Sequence, residues 1–385
     1  MANPAGVGAM SVPLIDLGAQ LEQVRGPVEA AIRRVVESQQ FVLGAEVEAF
    51  ERRLAERTGT AHAIGCASGT DALLLVLQAL GIGAGHEVAV PDFSFFATAG
   101  AVAQAGARPV FLDIEPRTFN LDPARLEKAA SPALRCVITA HMFGCPAAIE
   151  RIRPWCETHG VALVEDAAQA LGATHQGRPA GSLGRAACFS FFPTKNLGAY
   201  GDAGGITTDD PALAARLRAL RQHGRTGEYE HQFIGLNSRL DALQAAILSA
   251  KLDFLDDWNQ RRRRNAERYA ALFARLGLGE SGSGLVMPPA GTDSIFHQYV
   301  VRIEKGRDGL RRFLTGRGIG CAVYYPLPLH RQPALAQRGR IAGTLEESER
   351  ACREVLALPI YPELTAVQQE AVVGAVASGL ERSEV

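Results

Sequence analysis

The chain has 385 residues, 47% hydrophobic and 21% charged, with a formal net charge of -1. That length exceeds the usual single domain and allows two lobes with a sizeable core, while the near-zero charge excludes a general polyanion-binding surface, so no nucleic-acid partner is expected. Seven cysteines, an odd number with no pair at C-x-x-C spacing, suggest neither a zinc site nor a disulfide framework, and no metal is expected.

The first nine residues are small and featureless, and Met10 is an alternative start. No basic start precedes a continuous apolar core, and no apolar run is long enough to span a bilayer, so a cytoplasmic protein without a membrane partner is expected. Apolar residues then recur at helical spacing over 28–36 and 47–54. A regular alternation follows. Strands are predicted at 62–67, 87–93, 108–114, 136–142, 161–165 and 187–192, with helices at 68–80, 95–105, 123–130 and 148–159. This alternation implies a mostly parallel sheet covered on both faces, and such sheets bind ligands beyond the carboxyl ends of their strands.

After Gly205 the pattern turns mainly helical, with Leu240, Leu243, Ile247 and Phe254 marking one face of a long helix. The run Arg261-Arg262-Arg263-Arg264 continues a helical pattern (Trp258, Ala266, Tyr269, Leu272) and reads as a solvated helix face. Residues 277–284 match G-x-G-x-x-G, but they follow a helix and run into Pro288-Pro289. A dinucleotide fingerprint must follow a strand and open a helix, so a nicotinamide-dependent enzyme is disfavoured. A smaller C-terminal lobe would hold strands at 296–303 and 322–325.

Four strand ends carry chemistry. At Ser68-Gly69-Thr70 a strand turns into an apolar helix whose first amides could cradle a phosphate, though Ser68 could equally be a plain cap. Phe93, Phe95 and Phe96 could stack on a planar ring or simply pack. Glu165-Asp166 places two carboxylates at the end of an apolar strand, where each needs a partner: Asp166 could meet a cationic ring nitrogen or cap a helix, and Gln169 could reach a hydroxyl. Finally, an aromatic run ending in Ser190 breaks at Pro193 and delivers Lys195. Burial there would lower its pKa and prepare it to form a Schiff base. Together, a phosphate cradle, an acid for a pyridinium, an aromatic and an amine match what pyridoxal phosphate requires.

The stretches Ser-Gly-Thr-Asp-Ala-Leu, Val-Glu-Asp-Ala-Ala-Gln, Phe-Ser-Phe-Phe-Pro-Thr-Lys-Asn-Leu-Gly and Asn-Ser-Arg-Leu-Asp-Ala-Leu-Gln-Ala-Ala occur here in the order typical of one family. The chain resembles the pyridoxal-phosphate sugar aminotransferases of the DegT/DnrJ/EryC1/StrS group, from Ile15 to Thr365. The resemblance implies an α/β, aspartate aminotransferase-like fold of type I, with a large sheet domain (12–255) and a small C-terminal domain (256–385). It implies that Lys195 carries the Schiff base and shuttles a proton. Asp166 would pair with the pyridine nitrogen and Gln169 with the ring hydroxyl, while Gly69, Thr70 and Ser190 bind the phosphate and Phe95 stacks on the ring.

The resemblance also implies a homodimer with shared sites, in which Asn237 reaches the neighbouring subunit's cofactor. Arg239, Tyr325 and His330 are substrate-side candidates, and members commonly read His-Tyr where this chain has Tyr324-Tyr325. Members that dehydrate carry His in place of the lysine, so Lys195 favours transamination. The expected reaction moves an amino group from L-glutamate to a nucleotide-linked keto sugar. A 3-keto acceptor such as a UDP-3-keto-glucuronic acid derivative or a dTDP-3-keto-6-deoxyhexose is favoured over a 4-keto one. A non-catalytic ligand-binding or regulatory relative is the remaining alternative.

Overall fold

The computed structural model describes residues 11–280, 282–289, 291 and 293–383, so the alternative start at Met10 lies outside the described residues. Two helices come first, α1 (Leu17–Ser38), capped by Asp16, and α2 (Ala45–Thr58), which stops at the left-handed Gly59. Both bury the stripe their spacing marks, including Val24, Val28, Val35, Phe50 and Leu54. β1 (His62–Cys66) then turns at Ser68, whose Oγ accepts the Asp71 amide at 3.1 Å, into α3 (Gly69–Ala79). The middle of α3 is apolar on every side and buried on every side: Leu73, Leu74, Leu75, Val76 and Leu77 are at most 2% exposed.

Strand and helix continue to alternate through β2 (Glu87–Pro91), α4 (Ala97–Gln104), β3 (Arg108–Leu112) and the single turn α5 (Leu126–Ala129). Next come β4 (Leu134–Ala140), α6 (Ile149–His159), β5 (Ala162–Asp166) and a small hairpin of β6 (Thr174–His175) and β7 (Arg178–Pro179). β8 (Ala186–Ser190), β9 (Gly204–Thr208) and α7 (Pro211–Leu220) close this series. The helix predicted from residue 95 begins only at Ala97, and the strand predicted through 192 ends at Ser190.

β9 was not anticipated. Its Gly-Gly-Ile-Thr-Thr composition has two residues of low strand propensity, so it reads as a turn. It nevertheless pairs antiparallel with both β1 and β8, placing Gly204 opposite Cys66 on one side and Ser190 on the other. Neighbours on both sides supply the hydrogen bonds that propensity alone does not favour.

The chain continues through α8 (Ala242–Leu252), α9 (Leu255–Arg275), β10 (Leu285–Val286), β11 (Tyr299–Ile303), α10 (Arg307–Gly316), β12 (Arg340–Ile341), α11 (Glu346–Glu354), β13 (Val355–Leu358) and α12 (Ala366–Ser383). The large sheet has eight strands in the order β1-β9-β8-β5-β4-β2-β3-β12, and every pairing outside β9 is parallel. Alternate residues of each strand enter opposite cores: Ile64, Val164 and Cys188 pack with α3, whereas Ala63, Ala187 and Phe189 face α2 and α8. A three-stranded sheet, β10-β11-β13, packs with α9, α10 and α12 around Tyr269, Val301, Leu356 and Val372.

Several expectations are corrected here. Residues 322–325 form no strand; Ala322 makes one isolated bridge to Ala357, and the strand in that place is β13. The long helix is α8 alone, with Leu240 and Phe254 outside it, and its marked residues enter separate clusters. Within the arginine run, Arg262 turns inward and donates to the carbonyls of His297 (3.3 Å) and Ile360 (2.9 Å), so that face is not wholly solvated. The 277–284 stretch, of which residue 281 is outside the described set, leads from α9 into a two-residue strand and opens no helix. The segment from Val12 joins the small sheet's core, while Leu329, Leu335 and β12 return to the large sheet. No helix of the described residues is long and apolar enough to cross a membrane.

Arg221, at the end of α7, secures the edge strand. Its guanidinium donates to Glu51 and to the Gly65 carbonyl (2.7 Å), while Glu51 accepts the Gly65 amide at 2.8 Å. Both side chains are nearly buried, at 7% and 11% exposure. Arg221→Leu would strand the Glu51 charge and should cost about 3–5 kcal/mol in urea unfolding. The Glu51→Leu/Arg221→Leu double variant should recover much of that loss. A loss in the double variant equal to the sum of the two single losses would show that the pair is not coupled.

Candidate active site

The segment after β8 leaves the sheet and returns to it as a closed loop. The Phe191 amide donates to the Ala203 carbonyl and the Ala199 amide to the Phe191 carbonyl, both at 2.8 Å. Inside, the Lys195 amide donates to the Phe192 carbonyl at 2.8 Å, making a tight turn after Pro193. Gly198 is required by contact, since a Cβ there would lie 2.2 Å from the Pro193 carbonyl oxygen. Asn196 is buried and donates to the Leu171 carbonyl at 2.7 Å. This framework holds Lys195 where surrounding protein desolvates its amine. Burial pushes the pKa from 10.5 down to about 8, against the opposing pull of Asp166.

Glu165 and Asp166 separate because successive strand residues point to opposite faces. Glu165 is fully buried and accepts four hydrogen bonds: His141 Nε2 at 2.9 Å and the amides of Gly181 (2.9 Å), Leu183 (2.7 Å) and Gly184 (2.7 Å). His141 Nδ1 accepts the Ala147 amide at 3.1 Å, which leaves Nε2 as the proton-bearing nitrogen facing Glu165. Glu165 is therefore a structural staple.

Asp166 faces the other way, towards α3 and α4, and is 9% exposed. Its Oδ2 accepts from Thr98 Oγ1 at 2.7 Å, and that hydroxyl meets Ser94 Oγ at 2.8 Å. Gln169 Oε1 accepts the Phe143 amide at 2.7 Å, and its Nε2 donates to the Tyr325 hydroxyl at 3.3 Å. That hydroxyl is itself deprived of water, and burial pushes its pKa up.

The start of α3 lies against the end of β8. A Cβ on Gly69 would sit 2.7 Å from Ser190 Cβ, so only glycine allows this approach. Gly204 supplies the floor, where a Cβ would fall 2.3 Å from the Ser68 carbonyl carbon. The amides of Gly69 and Thr70 open an 11-residue helix and have no partner four residues back, and among the described residues Ser190 Oγ accepts only a long 3.4 Å bond from Phe192. Amides with the positive end of a helix dipole, two hydroxyls and a crowded glycine pair fit a phosphate group.

Thus Gly69, Thr70 and Ser190 form one cluster, and Lys195 lies within electrostatic range of Asp166. Gln169 joins them through Tyr325, whose ring is 6.1 Å from that of Phe95, itself 55% exposed. His330 is placed otherwise than a free substrate ligand would be. Its Nδ1 lies 2.6 Å from Asp92, its amide donates to the same carboxylate at 2.8 Å, and Nε2 is 3.6 Å from Glu349.

Asn237 is exposed and Arg239 half-buried, and neither contacts the Lys195 cluster among the described residues. Their loop is held by Ser238, which donates to Asp71 at 2.6 Å and accepts the Ala67 amide at 3.2 Å. Sequence reading missed Ser238, Thr98, Gly204 and His297. His297 is buried near Lys195, has an unpartnered Nδ1, and is kept neutral by burial and by the Lys195 and Arg262 charges. A histidine placed by a loop gives no periodic signal. Thr98 could have been found from its position three residues past the Phe95 that drew attention.

Comparison with known proteins agrees with this geometry. The sequence profile of the DegT/DnrJ/EryC1/StrS aminotransferase family matches residues 24–377. A relative from Geobacillus stearothermophilus named pleiotropic regulatory protein is 46% identical over 96% of this chain and 98% of its own length. The dTDP-3-amino-3,4,6-trideoxy-alpha-D-glucose transaminase of Streptomyces venezuelae is 43% identical over 96% of this chain and 97% of its own. A solved structure of S. venezuelae DesV in complex with a ketimine intermediate superposes with a TM-score of 0.91 at 43% identity, covering 97% and 99% of the two chains.

The chain belongs to this aminotransferase family, has its fold-type I architecture and uses its cofactor, pyridoxal phosphate. The lowered Lys195 pKa has a measurable consequence. Only the neutral amine attacks a carbonyl, and its population is complete only above the pKa. The rate at which pyridoxal phosphate attaches to the ligand-free protein should rise about tenfold per pH unit up to about 8 and then level off. A rise continuing towards 10.5 would show a solvated amine.

Proposed function

We propose that this chain is a nucleotide-sugar aminotransferase that takes an amino group from L-glutamate and delivers it to the C3 ketone of a nucleotide-linked sugar. The observation that carries the reading is the desolvated Lys195 amine within range of Asp166, beside the Gly69–Ser190 cradle. When bound, pyridoxal phosphate supplies an electron sink that stabilises negative charge at the carbon losing its proton. Lys195 would hold the cofactor through its amine and, with that amine free, would take and return a proton at the substrate carbon. Asp166, oriented by Thr98, would keep the proton on the ring nitrogen.

Gly69, Thr70 and Ser190 would hold the phosphate, Gln169 would meet the ring hydroxyl, and Phe95 would cover one face of the ring. The net exchange leaves 2-oxoglutarate and an amino sugar. Tyr325 stands on the substrate side through its bond to Gln169. His330 acts there at second hand, by fastening its segment to Asp92.

A homodimer completes this reading. Phe41, Val42, Tyr229 and Ile234 are 41% to 95% exposed and flank the loop of Asn237 and Arg239; Val42 bridges Asp241, and Ile234 lies three residues before Asn237. Exposed apolar residues around polar groups that reach no site of their own favour a second copy, into whose site Asn237 and Arg239 would project. Seven free cysteines are in keeping with a cytoplasmic location.

The preference for C3 draws on relatives 39% to 43% identical. They are named for dTDP-3-amino sugars, for UDP-N-acetyl-3-dehydro-glucosamine and for a UDP-3-oxo-glucuronate. The regulatory name of the Geobacillus relative favours a second reading, a binding protein of the same fold. One experiment separates them. The purified protein should show a visible band that L-glutamate bleaches and a 3-keto nucleotide sugar restores faster than its 4-keto isomer. Lys195→Met should lower turnover of the cycle by on the order of 100- to 10,000-fold. Faster restoration by the 4-keto sugar would overturn the acceptor assignment. A band untouched by glutamate and any sugar would favour the binding protein.

A further inference from the structure

Lys251 has no part in the roles assigned above, yet it is one of the most deeply buried charged groups of the molecule, at 1% exposure on α8. Its Nζ donates to the Gly198 carbonyl at 2.5 Å and lies 5.2 Å from the centre of the Tyr200 ring. Both partners belong to the loop that carries Lys195. Seven residues earlier, on the same helix face, Gln244 grips the next peptide: its Oε1 accepts the Tyr200 amide at 2.8 Å and its Nε2 donates to the Tyr200 carbonyl at 3.3 Å. This is a side-chain imitation of strand pairing.

A buried ammonium is unfavourable, and burial pushes the Lys251 pKa down to about 8. A methionine or leucine would fill similar volume without that penalty, but neither could reach the Gly198 carbonyl with a donor. The loop has no slack to absorb its loss. A Cβ on Gly198 would collide with Pro193, Asn196 anchors the opposite side to Leu171, and Ala199 is already bonded to Phe191.

We infer that Lys251, together with Gln244, is a positioning residue for Lys195: α8 clamps the 198–200 segment and so fixes how the Lys195 amine meets Asp166 and the phosphate cradle. The inference rests on the reading of Lys195 as the cofactor-bearing amine. It assigns Lys251 no contact with cofactor or substrate.

The test is competitive acetylation of the full-length, cofactor-free protein with acetic anhydride across a pH series, read on the Lys195 peptide by mass spectrometry. In Lys251→Met and in Gln244→Leu the Lys195 midpoint should move from about 8 towards 10.5, because a loosened loop admits water. Lys251→Arg, which keeps a cationic donor, should return it most of the way. In the holoenzyme, kcat should fall about tenfold while KM for the amino donor stays within about twofold, as expected for lost orientation rather than lost binding.

Ile247→Val, which faces the α1 cluster, should lower Tm without moving the Lys195 midpoint. Removing the Lys251 cation alone would also raise that midpoint, so Gln244→Leu decides, since it breaks the clamp without changing charge. A midpoint unmoved in Gln244→Leu overturns the inference, whether or not Lys251→Met moves, and it remains decisive if Lys251→Met does not fold. Failure of the nucleophile assignment would appear separately, as turnover surviving in Lys195→Met.

Discussion

A lysine amine stays reactive near neutral pH only if it is kept from water without being given a strong permanent acceptor. The structure meets much of that condition by pairing the polar groups of the amine's own loop in advance. The loop of residues 191–203 closes on itself through backbone hydrogen bonds, Asn196 takes the Leu171 carbonyl, and Lys251 takes the Gly198 carbonyl. The opposing pull on the Lys195 amine comes from Asp166, and the buried His297 nearby is held neutral. Desolvation then wins over attraction, and the amine sits near pKa 8.

The same logic explains the paired carboxylates at the end of β5. A strand cannot aim two successive side chains at one ligand, so one acid must serve elsewhere. Glu165 serves the scaffold: its four donors join β5, the His141 turn and residues 181–184 into one block. Asp166 is thereby freed to face the site, with the Thr98 hydroxyl orienting one oxygen. Had Asp166 been given Glu165's set of donors, its lone pairs would have been spoken for and no ring nitrogen could compete.

The site also joins the two sheets. Phe93, Phe119 and Phe143 of the large part pack with Val300, Cys352 and Ala357 of the small one, and Tyr324 and Tyr325 lie against this cluster. Gln169 reaches across it to Tyr325, while Asp92 holds His330. The segment that would line a sugar pocket is therefore fastened at two points to strand ends of the large sheet. Rigid aromatic packing, rather than a loose loop, joins that segment to the strand ends of the large sheet.

The sequence by itself determined the layered α/β architecture, because short apolar runs and period-3.6 stripes alternate so regularly that a covered parallel sheet is what buries them. It also marked Gly69, Asp166, Gln169, Ser190 and Lys195, since each stands just beyond an apolar run where a polar or tiny residue needs a reason. Tertiary structure decided what depends on neighbours distant in sequence. β9 exists because two strands flank its glycines, the two acids divided their roles by face, and Arg262 turned inward to unpaired carbonyls. His330 met a buried aspartate 238 residues away, and Lys251 found its acceptor 53 residues back. Local propensity reports what a residue can do within a turn or two; which groups lack partners, and therefore which side chains are enlisted, is settled only when the chain has closed on itself.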